Sequence, residues 1–422
     1  MIDELRQARW FGGKSRAIGS TSIVDRACWV AGASLCLVEV RYEHGPPETY
    51  VLAERFDDPT VGRALLQRFA GAEVPTERGG RLVFASTHAS IVGQTEPIRI
   101  LRGEQSNTSL LFGEALILKL FRRVQFGPNP EVEIGWFLTE HTDFHGTPAV
   151  LGSLDYDSPT GATASLALLQ AFQPNRGDAW RTTLNRLAAV LDGADPTDSI
   201  AALARLGATT AALHIALTQP GGGPDFDTET IGPDDIATWR DAIHGELEQA
   251  MRGLHARGIE VDRSVPLQRA DGVAALDGAL KTRHHGDYHL GQVLERPDGE
   301  FVIIDFEGEP SKPLVVRRDK RTPLRDVAGM LRSFDYARHA AMRSGSPGDP
   351  ARAARAAAWH QAARSAFLDS YLQTVRQGKP RLLPDDVPRA LDALELEKAA
   401  YEVLYELNNR PDWLPIPLAA LQ

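Results

Sequence analysis

Hydrophobic and polar residues alternate along the first part of the chain at the two-residue period of a β-strand. Short runs of this kind, rich in branched and aromatic residues, occupy 22–24, 35–40, 49–52, 82–84 and 98–101. A helical spacing near 61–69 interrupts them. Because one apolar face is typical of strands that cover a core on one side only, the pattern predicts a curved antiparallel sheet with one helix.

The pattern changes to the helical period after residue 173. A continuous apolar run at 166–172 predicts one more buried strand, and a loop at 174–178 follows it. Helical spacing then covers 180–191, 200–217 and 236–257, and His214 is predicted to pack in the core. The chain is therefore predicted to belong to the α+β class, with a mostly helical C-terminal half.

A polar turn at 104–109 separates the strand pattern around 98–101 from apolar runs at 110–112 and 116–121, and it contains Gln105, Ser106, Asn107, Thr108 and Ser109. Backbone N–H groups and hydroxyls of such a turn are suited to contact the phosphates of ATP.

Lys119 lies within the apolar run at 116–121. A buried lysine needs negative partners, whereas a lysine on an edge strand faces water; both alternatives are open. Pro128-Asn129-Pro130 predicts a helix start, and either Glu131 or Glu133 on that helix is in reach of Lys119.

The strongest chemical signal is a polar segment with Asp287 and Gln292, followed by a short hairpin that ends at Asp305. Pro297-Asp298-Gly299 predicts the hairpin turn. Carboxylate and amide oxygens are the hard ligands that Mg²⁺ prefers while it binds substrate phosphates. The spacing matches the catalytic loop of kinases, so it indicates phosphoryl transfer. A buried network of His and Asp that only braces a loop is the structural alternative.

The segments HGDYHLGQ (285–292) and IDFEGEP (304–310) resemble the maltokinases and the actinobacterial glucosamine kinases. These are relatives of the aminoglycoside phosphotransferases within the protein-kinase-like fold. The resemblance implies a bilobal protein with an antiparallel β cap subdomain at 1–90, a kinase-like N-lobe at 91–173 and a helical C-lobe at 174–422.

The resemblance also implies roles for individual residues. Asp287 is expected to deprotonate the acceptor hydroxyl, Gln292 and Asp305 to hold Mg²⁺, and Asp326 to brace the catalytic loop through backbone N–H groups. Glu133 is favoured over Glu131 as the partner of Lys119. Adenine is expected against the backbone of Gln170 to Phe172. The expected substrate residues are His289, Glu307, Arg321, Tyr405, Glu406, Asn409 and Trp413.

The C-terminal segment repeats Tyr401 and Tyr405, and Glu402 and Glu406, at intervals of four. This spacing predicts one aromatic and one acidic face on a helix, which suit a sugar, although a packing helix has the same stripe. An acid-rich pocket that includes Asp412 favours glucosamine, with glucosamine 6-phosphate as product. Maltose giving maltose 1-phosphate, an aminoglycoside acceptor and a non-catalytic kinase-like binding module are the alternatives.

The composition of the chain argues against some classes of binding partner. The formal charge of −10 argues against nucleic acid, and 43% hydrophobic with 24% charged residues is typical of a globular protein. Two cysteines, an acidic N-terminus without a signal peptide and no obvious run of about 20 apolar residues predict a cytoplasmic protein without a membrane partner. We expect a monomer that uses ATP and Mg²⁺ on a small sugar or aminosugar.

Overall fold

The computed structural model describes residues 2–101, 107–344 and 349–422. The chain divides into two compact units: unit 1 contains Met1–Pro174 and Ser311–Arg317, and unit 2 contains Asn175–Pro310 and Arg318–Gln422. The division after Pro174 lies one residue from the predicted boundary at 173.

Unit 1 is built on two antiparallel sheets. Its strands are β1 Ile18–Val30, β2 Ala33–Tyr42, β3 Glu48–Ala53, β4 Glu73–Pro75, β5 Arg81–Ser86, β6 Ile98–Ile100, β7 Asn107–Phe112, β8 Leu116–Phe121, β9 Arg123–Val124, β10 Val150–Asp157 and β11 Thr163–Ala171. One sheet has the strand order β1-β2-β3-β9, and the other has the order β4-β5-β10-β11-β8-β7-β6.

The second sheet corrects the boundary predicted at residue 90. Strand β5, from the segment assigned to a separate cap, pairs with β10 in the register Leu154↔Phe84. Both segments therefore share one sheet and one core, in which Trp29, Phe84 and Leu118 are buried. Alternation alone could not reveal this, because it shows which face of a strand is buried and not which strand lies beside it.

Unit 2 is mainly helical. The helices of the chain are α1 Ile2–Gln7, α2 Pro59–Arg68, α3 Pro130–His141, α4 Ala179–Leu191, α5 Thr197–Ala216, α6 Pro233–His255, α7 Ser264–Ala270, α8 Leu314–Arg317, α9 Leu324–Arg343, α10 Pro350–Gly378, α11 Val387–Asn409 and α12 Pro415–Leu421. The first three and α8 belong to unit 1. Unit 2 has two small antiparallel sheets of two strands each: β12 Glu229–Thr230 pairs with β13 Leu280–Lys281, and β14 Val293–Glu295 forms a hairpin with β15 Phe301–Ile303.

Helix α5 is long and apolar enough to cross a membrane by length and composition, with a mean hydropathy of 1.3. The sequence was not expected to contain such a run. However, 56% of that helix window is buried inside the protein. His214 on α5 is fully buried and lies within hydrogen-bond distance of Tyr371 on α10 and Asp326 on α9. Helix α5 is therefore a core helix of unit 2.

Candidate active site

The hairpin of β14 and β15 brings the two predicted metal ligands together. The strands pair in the register Val293↔Ile303, so Gln292 and Asp305 lie at the same open end of the hairpin. Gln292 Nε2 donates to Asp305 Oδ2 at 2.9 Å. The side chains of the two predicted ligands are thereby in direct contact, and each carries an oxygen atom of the kind that a hard divalent cation prefers.

Asp305 has a backbone φ of 68°, in the left-handed region that non-glycine residues seldom adopt. A strained residue of this kind persists only where the surrounding structure holds it, and such residues cluster at functional sites. The turn directs the Asp305 carboxylate back toward Gln292 instead of continuing strand β15.

The catalytic loop is held from below by Asp326, near the start of α9. Its carboxylate accepts the backbone N–H groups of His285 at 2.7 Å and Gly286 at 3.0 Å, and lies 3.1 Å from His214 Nε2. Burial raises the pKa of Asp326, but the His214 hydrogen bond and the neighbouring histidines lower it further, to well below its ordinary value. The predicted bracing by Asp326 is present.

His285 ties the loop to the hairpin. Its Nε2 lies 2.9 Å from the carbonyl oxygen of Ile304, and its Nδ1 accepts the backbone N–H of Asp287 at 3.3 Å. These partners assign the tautomer with hydrogen on Nε2. His289, predicted as a substrate residue, accepts the N–H of Gly291 with its Nδ1 at 3.0 Å. Burial lowers the pKa of His289, which favours a neutral ring.

Asp287 forms an ion pair that was not predicted. Lys398 Nζ lies 3.2 Å from Asp287 Oδ1 and 2.8 Å from Glu309 Oε1. Burial raises the pKa of Asp287, but the charge of Lys398 outweighs it, so the net pKa lies below its ordinary value. Burial lowers the pKa of Lys398, whereas Glu309 and Asp287 raise it above its ordinary value. The Asp287 carboxylate is thus ionised at neutral pH.

Lys398 and Glu309 are the functional residues that sequence reasoning missed. Both line a cavity of about 20 Å³ beneath the loop, together with Gly286, Tyr288 and Tyr401. This volume holds about one water molecule. A signal for Lys398 existed, because it lies four residues before Glu402 and thus extends the predicted helical face by one turn.

In unit 1, Lys119 pairs with Glu131 and not with the favoured Glu133. The distance from Lys119 Nζ to Glu131 Oε2 is 2.7 Å, and Glu131 is only 4% exposed. Asn129 caps α3 by accepting the N–H of Glu131, which places Glu131 in the first turn. Helical residues advance by about 100° each, so Glu133 points about 200° further around the helix.

The C-terminal part of the predicted polar turn at 104–109 belongs to a strand. Gln105 and Ser106 lie outside the described residues. Asn107, Thr108 and Ser109 belong to strand β7, where Ser109 is opposite Lys119. Ser109 is 0% exposed and Thr108 Oγ1 accepts Arg122 Nε at 2.8 Å. The side chains of these two residues therefore contribute to the sheet, and their predicted contact with phosphates stays a prediction.

The strand predicted to enter the hinge is β11, which ends at Ala171. The N–H of Ala171 donates to Ala149 O and the N–H of Phe172 donates to Ala115 O, each at 2.8 Å. Gln170 pairs with Ile117 of β8. The predicted adenine contact therefore cannot use the N–H groups of Ala171 and Phe172 while these bonds are made.

Four predicted substrate residues lie at the end of α11 or just after it, and they have different surroundings. Glu406 is 1% exposed; it accepts hydrogen bonds from Tyr336 and Arg410. Trp413 stacks on Tyr336 with ring centroids 5.9 Å apart. Tyr405 is 44% exposed, with the Arg410 guanidinium 5.3 Å from its ring centroid and the Tyr401 ring stacked at 6.5 Å.

Of the remaining candidates, Arg321 and Asn409 contact other residues of the protein, whereas the carboxylate of Glu307 lies within 4.8 Å of that of Asp305. Arg321 lies over the ring of Trp239 and 3.4 Å from Glu397, and Asn409 Nδ2 donates to the carbonyl of Tyr405. Glu307 is half-buried, two residues after Asp305.

The acid-rich pocket is not formed as expected. At about 1.5 Å per residue, Glu406 is about 12 Å further along α11 than Lys398, the residue that contacts Asp287. The side chain of Asp412 is 86% exposed. Glu309 is instead the second carboxylate on Lys398.

In comparisons with known proteins, no family model matches the chain. A glucosamine kinase of Streptacidiphilus jiangxiensis is 28% identical over 417 residues, which cover 96% of this chain and 87% of that protein. The chain is therefore similar to glucosamine kinases along most of its length.

A glucosamine kinase of Mycolicibacterium smegmatis is 27% identical over 360 residues, covering 82% of this chain and 83% of that protein. Among solved structures, a glucosamine kinase in complex with glucosamine, ADP and inorganic phosphate superposes with a TM-score of 0.72 at 23% identity, over 96% of this chain and 94% of that one. The predicted α+β, kinase-like fold is confirmed.

Proposed function

We propose that this relative of the glucosamine kinases transfers the γ-phosphate of ATP to a sugar hydroxyl, with glucosamine as the favoured substrate and glucosamine 6-phosphate as product. The observation that carries the proposal is the ionised Asp287, held by Lys398 on a loop whose other end presents Gln292 and Asp305. Similarity to glucosamine kinases over 96% of the chain supports the choice of sugar.

In this mechanism Asp287 accepts the proton of the attacking hydroxyl. The new bond joins the sugar oxygen to the γ-phosphorus, the bond from that phosphorus to the β–γ bridging oxygen breaks, and ADP leaves. Lys398 keeps Asp287 ionised and fixes its orientation, so the base is ready before the sugar arrives. Such general-base help contributes about 10²–10⁴-fold to the rate.

Gln292 and Asp305 fit Mg²⁺ because both supply hard oxygen atoms. When bound, Mg²⁺ neutralises charge on the β- and γ-phosphates. In unit 1, Lys119 supplies a cation for nucleotide phosphates, and Glu131 holds the Lys119 ammonium in place at 2.7 Å. The exposed ring of Tyr405 offers an apolar surface to the C–H face of a sugar.

A coupled assay of ADP release tests the substrate. Glucosamine, maltose, glucose and an aminoglycoside are each supplied with ATP and Mg²⁺, and product is identified by mass spectrometry. We expect turnover with glucosamine to exceed that with the other acceptors, and removal of Mg²⁺ to abolish it. Turnover of maltose without glucosamine would favour a maltokinase, and turnover of the aminoglycoside alone would favour a resistance enzyme.

Absence of turnover with every acceptor would support the non-catalytic alternative. A cytoplasmic location and a monomeric state complete the proposal; both rest on the sequence. Sedimentation of the purified chain tests the second of them.

A further inference from the structure

Unit 2 contains a second cavity, of about 290 Å³, that includes no residue of the catalytic loop. Helices α7, α9, α10, α11 and α12 contribute to its wall. The wall carries four arginines, two histidines and three carboxylates, and an apolar side is formed by Ile416, Ala419 and Ala420. Its volume lies near the lower end of the range of small-molecule sites, about 300–1,000 Å³.

Three of the four arginines are held by carboxylates. The ion pairs are Arg269 with Asp392 at 2.8 Å, Arg332 with Glu402 at 2.7 Å, and Arg364 with Glu395 at 2.7 Å. Asp335, the third carboxylate of the wall, is shared by Arg332 at 2.7 Å and His360 at 2.5 Å. The carboxylates of the wall are thus already engaged.

Arg338, on α9, is the exception. Within residues 2–101, 107–344 and 349–422 it makes no hydrogen bond and no ion pair, and its Nε atom is buried without a partner. A buried donor without an acceptor is unfavourable, and a guanidinium group presents its donors as a fork that matches two oxygens of one anion.

We propose that this cavity binds a small dianion of the phosphate class, with Arg338 as its principal ligand. The phosphate oxygens accept the guanidinium donors, and the carbon skeleton of a phosphate ester packs on Ile416 and the alanines of α12. Inorganic phosphate and a sugar phosphate share this chemistry. The second source rests on the proposed function, because the kinase reaction forms a sugar phosphate.

Isothermal titration of the full chain tests the site. Inorganic phosphate and glucosamine 6-phosphate are titrated separately at fixed ionic strength with saturating ADP, which occupies the nucleotide site. We expect Arg338→Gln to weaken binding by about 10- to 100-fold, the range for a charge-assisted hydrogen bond. Tighter binding of the ester than of inorganic phosphate would identify the sugar phosphate as the ligand, and the reverse would identify inorganic phosphate.

Arg376→Gln is the matched control. Arg376 is an exposed residue of α10 outside the cavity, so the same charge is removed without changing the site. Equal binding by wild type and Arg338→Gln would overturn the proposal, as would equal losses in the two variants. If Arg338→Gln did not fold, Arg338→Lys would replace it, with an expected loss of several-fold because lysine keeps the charge but lacks the fork. The titration requires no turnover, so failure of the proposed kinase activity leaves its result interpretable.

Discussion

The two units hold their candidate catalytic charges over very different distances along the chain. In unit 1, Lys119 and Glu131 are separated by 12 residues, from a strand to the start of a nearby helix. In unit 2, Asp287 is joined to Lys398 across 111 residues, and His285 to Asp326 across 41. For residues that are close in sequence, the sequence narrows the possible partners to a few. For residues that are far apart in sequence, the partner depends on how the helices pack.

The catalytic loop of unit 2 also depends on several buried polar contacts. The catalytic loop is fixed by the Asp326 carboxylate, by the His285 ring and by the ion pair of Asp287 with Lys398. Charged groups in a buried site are costly unless they are paired, so removing one member leaves its partner uncompensated. Single substitutions at these contacts in unit 2 are therefore expected to lower activity or stability more than substitutions at the ion pair of unit 1.

The largest effect is expected from Asp287→Asn, which removes the base. We expect kcat to fall by about 10²–10⁴-fold while nucleotide binding is retained. Steady-state kinetics with glucosamine and calorimetric titration of ADP measure the two quantities. Full activity of this variant would exclude Asp287 as the base. The ion pair of Asp287 with Lys398 could then no longer be counted as a catalytic feature of unit 2.

Asp326→Asn is expected to act on stability. It removes a buried charge that accepts two backbone N–H groups, and breaking such a buried arrangement costs about 3–5 kcal/mol of unfolding free energy. Urea denaturation measures the loss. Asp412→Asn, at a side chain that is 86% exposed, is the control and should change stability by less than about 0.5 kcal/mol.

The contribution of Asp326 to the stability of the folded state depends on pH. The pKa of Asp326 is lower in the folded state than its ordinary value. Its stabilisation is therefore complete above the unfolded-state value of about 3.9 and is lost as the pH falls toward the folded value. Wild type should lose more stability than Asp326→Asn on acidification through this range; parallel losses would show that another group is responsible.

Lys398→Met is expected to change the pH profile of catalysis. Lys398 lowers the pKa of Asp287, so its removal raises that pKa and moves the acidic limb of kcat/KM to higher pH. Turnover at pH 7 should fall by about 10- to 100-fold. Lys398→Arg keeps the charge and should retain the wild-type limb. A purely structural role would lower activity at every pH without moving the limb.

A pair of variants in unit 1 tests the local ion pair. Glu131→Gln releases Lys119 and should raise the KM for ATP by about tenfold, the value of one charge-assisted hydrogen bond. Glu133→Gln should change it by less than about twofold. Initial rates over a range of ATP concentrations decide between them, and a larger effect at Glu133 would restore the assignment made from sequence.

The smallest effect is expected at Tyr405, whose ring is 44% exposed. Tyr405→Ala should raise the KM for glucosamine by about 2- to 10-fold, the value of one aromatic contact, with little change in kcat. Tyr405→Phe keeps the ring and should behave like wild type. An unchanged KM in the alanine variant would show that Tyr405 lies outside the sugar site.

Sequence alone determined the features that depend on neighbours along the chain. Alternation predicted strands β1, β2, β3, β5 and β6 of unit 1, but not β4, β9 or β10. Asn129 and the flanking prolines predicted the start of α3, and the spacing of Asp287, Gln292 and Asp305 placed both predicted metal ligands on one hairpin. Each follows from backbone geometry over a few residues, because hydrogen bonding and side-chain direction repeat with a fixed local period.

Tertiary structure alone decided which distant groups meet. Lys398 and Glu309 became partners of Asp287, β5 joined the sheet of β10, and the rotation of α3 selected Glu131 over Glu133. Periodicity shows that a helix face is polar, but the element opposite that face depends on packing of the whole unit. The identity of that opposing element matters most for buried charges, because each needs a counterion within a few ångströms.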